Sequence, residues 1–75
     1  MNDKRRKLIS EARGLIEHGK GLIEIALDDE QECFNNLPVG VQESDRGYTM
    51  EENIDNLQNA AESLGEAMDF IDEIE

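Results

Sequence analysis

Few residues in this chain are of types that carry out chemistry. His18 and Cys33 are the sole histidine and the sole cysteine, so any nucleophile activated by an imidazole would have to use them. Both fall in one helical stretch, with about 22 Å of helix rise between them, so they cannot share a proton within one chain. Cys33 then reads as a packing residue in a helix seam, and His18, beside that seam, as a lone surface imidazole. A di-metal helical site needs Glu-x-x-His pairs, which are absent. The segment before Gly47 has the outline of a calcium loop, but it would offer Gln42, Ser44, Arg46 and Asn53 as ligands, a poor cage for a hard cation. Gly14, Gly19 and Gly21 do not follow a strand, which excludes a phosphate-cradling loop. The expectation is a protein with no catalytic residue, no metal and no cofactor.

What the residues specify clearly is architecture. Leu8, Ala12, Leu15, Gly19, Leu22, Ala26, Glu30 and Cys33 recur at helical spacing, and Ile9, Ile16 and Ile23 repeat every heptad beside them. Three glycines close together weaken a helix by up to ~1 kcal/mol each, which implies either packing that rewards a bare backbone or plain tolerance within a long helix. Asn2 or Asp3 can cap the start of this helix. Pro38 must end it near Asn35 or Asn36, because its ring blocks a helical bond and constrains the residue before it. Phe34, Leu37, Val39, Val41 and Tyr48 would plug the bundle end, with one short helical turn after Pro38. Thr49 and Glu52 have capping-box spacing, and Met50, Ile54, Leu57, Ala61, Leu64, Met68 and Ile71 then form a second apolar stripe.

A short connector makes two such helices antiparallel neighbours. The predicted fold is all-α: a single helical-hairpin domain over residues 1–75, with a helix at about 3–36, a connector at 37–48 and a helix at about 49–75. A register in which facing residue numbers total about 83 sets large against small side chains at most layers, Ala12 against Ile71 and Gly19 against Leu64 for example. It also brings Lys4, Arg5, Arg6 and Lys7 alongside Asp69, Asp72, Glu73 and Glu75, where each cluster offsets the other's unfavourable place on its helix dipole. Ile9, Ile16, Ile23, Ala60, Ala67 and Ile74 are left as outer apolar columns. A homodimeric four-helix bundle, or docking on another protein, would cover them.

Composition narrows the class. With 75 residues the chain sits where a single core barely offsets chain entropy. Its 37 % hydrophobic content, arranged periodically, argues against a wholly disordered acidic chain. One cysteine makes no internal disulfide, and the charged start leads into no long apolar run, so a soluble cytoplasmic protein without membrane contact is expected. A net charge of −12 disfavours direct contact with nucleic acid and suits a partner with a basic surface. The charge is uneven: residues 1–20 hold six basic and three acidic residues, residues 21–75 one basic and sixteen acidic. Asp28, Asp29, Glu30, Glu32, Glu43, Asp45, Glu51, Glu52 and Asp55 gather at the connector end, opposed by Arg46 alone. That pole is either a solvated face or a set of carboxylates that imitates phosphates and occupies a basic groove.

The connector and its flanks, Asn35-Asn36-Leu37-Pro38-Val39-Gly40-Val41-Gln42-Glu43-Ser44-Asp45-Arg46-Gly47, followed by an acidic helix, resemble a pattern found in short acidic helical proteins encoded by bacterial phages and mobile elements. The pattern is Asn-Leu-Pro, two variable positions, an aliphatic residue then Gln, Ser, an acidic residue and Arg-Gly. The match extends from about Glu30 to the C-terminus. It implies a phage-type origin in a bacterial host cell and a role in inhibiting or redirecting a host protein. It also marks Leu37, Pro38, Gln42, Ser44, Arg46 and Gly47 as a conformationally fixed tip; alternatively these residues only build the turn, with Arg46 tying down a carboxylate. The helical-hairpin phosphatases of sporulation regulators share the size and topology. Their Ser-Gln-Glu-Leu-Asp-like motif is missing, however, and Ala61-Glu62-Ser63-Leu64-Gly65 stands in the second helix instead. The functional expectation is therefore a non-enzymatic binding protein that blocks or modulates a host factor, such as a nucleic-acid-binding defence enzyme, through its acidic pole. The alternatives are an assembly subunit docking by its apolar face and, more remotely, a small aspartyl-phosphate phosphatase.

Overall fold

The computed structural model describes residues 1–75 and contains three helices: α1 (Asp3–Asn35), α2 (Val39–Gln42) and α3 (Asp45–Asp72). The Asn2 side-chain oxygen accepts the Arg5 backbone N–H at 2.9 Å, capping α1. At the other end Asn36 N–H donates to the Glu32 carbonyl and Leu37 N–H to the Phe34 carbonyl, both at 3.1 Å, before Pro38 stops the helix. The Pro38 carbonyl then accepts the N–H groups of Val41 and Gln42, which makes the single turn of α2.

The second long helix begins at Asp45, four residues before the Thr49 capping box suggested. Ser44 is the N-cap, in extended conformation, and its carbonyl accepts the Tyr48 N–H at 3.0 Å. Its hydroxyl turns back to the Val41 carbonyl instead of capping α3. Gly47 permits this early start. It is buried, and a Cβ there would overlap the backbone of Gln42, so only glycine lets the first turn of α3 rest on α2.

α1 and α3 lie antiparallel. Arg13 grips Asp72 with two hydrogen bonds, 2.6 and 3.0 Å; the Lys20 aliphatic stem borders Gly65; the Asn53 amide donates to Glu30 at 3.3 Å. Facing residue numbers in these pairs total 83 to 85, the register expected from the sequence. Which residues of α1 face the seam, however, differs from expectation. Ile9, Ile16, Ile23, Leu27 and Phe34 are half-buried and, at ~100° per residue, share one sector of α1 with Arg13 and Lys20, the residues that contact α3. Leu8, Ala12, Leu15, Leu22, Ala26 and Cys33 are exposed. The seam helix is thus rotated by one residue position, about 100°, from the predicted pairing. On α3 the stripe from Met50 to Ile71 does face inward, centred on Ile54 (6 % exposed) and Ala61 (8 %).

The result is a rod of 58 × 15 × 13 Å with a radius of gyration of 17.2 Å. A compact chain of this length has a radius of gyration of about 11 Å. Only three residues of 75 are buried, so the hairpin encloses very little core of its own.

Candidate functional site

Two surfaces stand out on the hairpin. The first is anionic. Asp28, Asp29 and Glu32 on α1, Glu43 in the turn after α2, and Asp45, Glu51, Glu52 and Asp55 on α3 are all exposed at the connector end. Helical phase places Asp28 and Glu32 on the same side of the rod as Glu51 and Asp55, each pair separated by about 6 Å of rise. The salt bridges in the molecule are Arg13–Glu17, Arg13–Asp72 and Lys20–Glu24, so none of these eight carboxylates is neutralised within the chain. Arg46 forms no ion pair either; it does not tie down a carboxylate. The tip is held instead by the Gln42 amide, which donates to the Phe34 carbonyl at 2.9 Å, and by the close fit at Gly47. Phe34, Leu37 and Val41 are half-buried there, whereas Val39 and Tyr48, expected in the plug, are exposed.

The second surface is apolar. Leu8, Leu15 and Leu22 are 57, 68 and 54 % exposed, one heptad apart, with Ala12, Gly19, Ala26 and Cys33 alongside. On α3 the half-buried Ala60 and Ala67 and the exposed Ile74 fall on the same side of the hairpin by helical phase. Ile9, Ile16 and Ile23, expected on the outer face with them, instead line the internal seam. The physical reason is that the apolar arc of α1 spans about 140°, wider than one partner helix can cover. α3 takes the isoleucine edge and leaves the leucine edge bare. Nothing within 4 Å meets a Cβ added at Gly14, Gly19 or Gly21, so no close packing inside the hairpin accounts for these glycines.

The open end also departs from expectation. Lys4, Arg5, Arg6 and Lys7 make no ion pair with the C-terminal carboxylates. In the observed register Asp72 meets Arg13, so the first turn of α1 overhangs the end of α3. The Arg13 guanidinium, hydrogen-bonded to Asp72 and adding its positive charge, holds that carboxyl below the usual aspartate range; the same hydrogen bond and charge raise Arg13.

His18 is exposed, and no group of three or more His, Cys, Asp or Glu is placed to hold a metal ion. Three shallow grooves run along the rod; the one at the open end is lined by Met1, Ile9, Arg13, Ile71 and Ile74. No helix is long and apolar enough to cross a membrane. Compared with family models, curated proteins and solved structures, the chain matches none.

Proposed function

We propose that this chain is a non-catalytic protein-binding module that inhibits or modulates a partner with a basic surface, such as a nucleic-acid-binding defence enzyme of a bacterial host. It acts in the cytoplasm in the manner of phage-encoded regulators and as a homodimeric four-helix bundle. The observation that carries the reading is the set of eight exposed carboxylates at the connector end, none paired with a cation. They stand on helices held by backbone hydrogen bonds and by the pinned tip, so little ordering is needed when a basic groove closes on them. A groove shaped for DNA expects roughly one phosphate per 3.4 Å along each strand. Two rows of carboxylates on a straight rod approach that density more closely than a single helix does.

Affinity capture from bacterial lysate followed by mass spectrometry tests this. A specific partner should be retained whose binding weakens at least ~100-fold in the variant Asp28→Asn, Asp29→Asn, Glu51→Gln, Glu52→Gln and falls steeply with salt. Retention that is indifferent to salt and to those four changes sinks the proposal. A second reading, an assembly subunit that docks by its apolar side, is favoured by the exposed leucine column. There Leu15→Glu should abolish capture while the acidic changes leave it intact.

A further inference from the structure

We infer that the leucine side of the hairpin is a self-association surface, on which a second copy of this chain packs antiparallel with its α1 against α1. The inference rests on the homodimer reading above and specifies its interface and register. Leu8, Leu15 and Leu22 are more than half exposed at heptad spacing, and Ala12, Gly19 and Ala26 run beside them. Sliding a reversed copy along this stripe gives two registers in which every leucine meets a small residue; one of them sets the Asp29 carboxylate against Ala12 in the apolar stripe, and the other avoids it. In that second register Leu8 lies against the partner's Ala26, Ala12 against the partner's Leu22, and Leu15 against the partner's Gly19. The space left open at Gly19 within one hairpin is then filled by the partner's Leu15. Small residues facing leucine let two backbones approach closely, which gains dispersion contacts along the whole stripe.

The same two-fold axis is supported by α3, which played no part in choosing the register. An axis passing between Leu15 and Gly19 crosses α3 at Ala67, because the α1–α3 pairs Arg13–Asp72 and Glu30–Asn53 fix the alignment. Ala67 then meets the partner's Ala67, and Ala60 meets the partner's Ile74. One symmetry operation satisfies both helix pairs, as an isologous interface requires.

Charge agrees with this arrangement. The overhanging Lys4 and Arg5, which form no ion pair in their own chain, come beside the partner's Glu30 and the partner's Asp29 respectively. The two acidic poles lie at opposite ends of a rod 58 Å long, several screening lengths apart. A parallel dimer would press them together. The stripe from Leu8 to Cys33 runs about 38 Å, and across the breadth of the hairpin it offers on the order of 600 Å² in projection per copy. Rough accessible surface exceeds its projection, which brings the interface within reach of the ~800 Å² per partner of a stable dimer.

The test is sedimentation equilibrium on the full chain, with two variants and one cross-link. The wild type should weigh twice its 8.5 kDa. Leu15→Glu should raise the dissociation constant at least ~100-fold. Gly19→Leu, which improves helix propensity and has room in the single hairpin, should still weaken association at least ~10-fold while circular dichroism shows helicity kept or increased. In a Cys33→Ser background, Ala67→Cys should be joined to its counterpart by a short bismaleimide suited to helices 8–10 Å apart. Wild-type Cys33 should not link to the partner's Cys33, since an antiparallel pair holds them tens of ångströms apart. A monomer at every concentration up to about 1 mM overturns the homodimer reading and this interface together. A dimer indifferent to Leu15→Glu and Gly19→Leu, or one linked through Cys33 and not through Ala67→Cys, overturns only the interface and leaves the dimer standing.

Discussion

The two ends of the hairpin are built on different principles. At the connector end the chain is pinned through its backbone: the turn of α2, Gly47 against the Gln42 backbone, and the Phe34 carbonyl held by the Gln42 side-chain amide. At the open end the helices are joined by side chains alone, chiefly the exposed Arg13–Asp72 pair, and α1 runs past its neighbour. Fixed backbone geometry tolerates no added atom. A half-exposed ion pair on flexible side chains tolerates much. Conformational order should therefore decline from the tip toward the termini, and substitutions can be ranked by that gradient.

The largest effect is expected where the seam is best buried. Ile54→Ala should cost about 3 kcal/mol, against about 1 kcal/mol for Ile9→Ala near the open end, measured by urea unfolding of the two variants side by side. Equal losses would remove the contrast. Gly47→Ala comes next: the clash with Gln42 should outweigh the gain in helix propensity, for a net loss of about 1–2 kcal/mol, whereas Gly14→Ala, with open space around it, should stabilise by a few tenths to ~1 kcal/mol. Gln42→Ala should lose about 1 kcal/mol and speed amide exchange around Phe34 and Leu37.

The smallest effect belongs to the open end. Because Arg13 holds the Asp72 carboxyl below its ordinary range, the contribution of this pair is present above the usual aspartate titration. It is lost as pH falls through the lowered value in the folded state. Arg13 is raised, so its side of the pair persists until strongly alkaline pH. Arg13→Ala should return the Asp72 titration, followed by NMR, to the ordinary range, and the midpoint in wild type should move toward that range as salt is added. A midpoint unmoved by the substitution would mean that Arg13 and Asp72 are not coupled in solution.

The antiparallel pairing of α1 with α3 was legible from the sequence because the connector is short; the register, drawn from large-against-small layers and from charge pairing at the open end, agrees to within two residues although neither of those contacts forms. The rotation of α1 was not legible. Hydrophobic spacing gave an arc about 140° wide, and periodicity alone does not say which edge of it meets the first partner. The decisive residues were polar: Arg13 and Lys20 look like surface positions, yet they sit on the inward sector with Ile9 and Ile16, and Arg13 reaches α3 by its guanidinium, Lys20 by its stem. The start of α3 was masked by a capping signature at Thr49 and Glu52 that lies inside the helix, while Gly47 reads as a turn residue and serves as a helical contact. The connector-end carboxylates were legible from the uneven distribution of charge along the chain, and they lie exposed.

The overhang of α1 also bears on how the molecule comes apart. A duplex of helices clamped at its bend and lightly fastened at its tips opens like tweezers, from Met1 and Glu75 inward. Fraying at that end shortens the paired length without disturbing Asp28, Glu32, Glu51 or Asp55. Within one hairpin the acidic end thus keeps its shape through excursions that leave the opposite end unpaired.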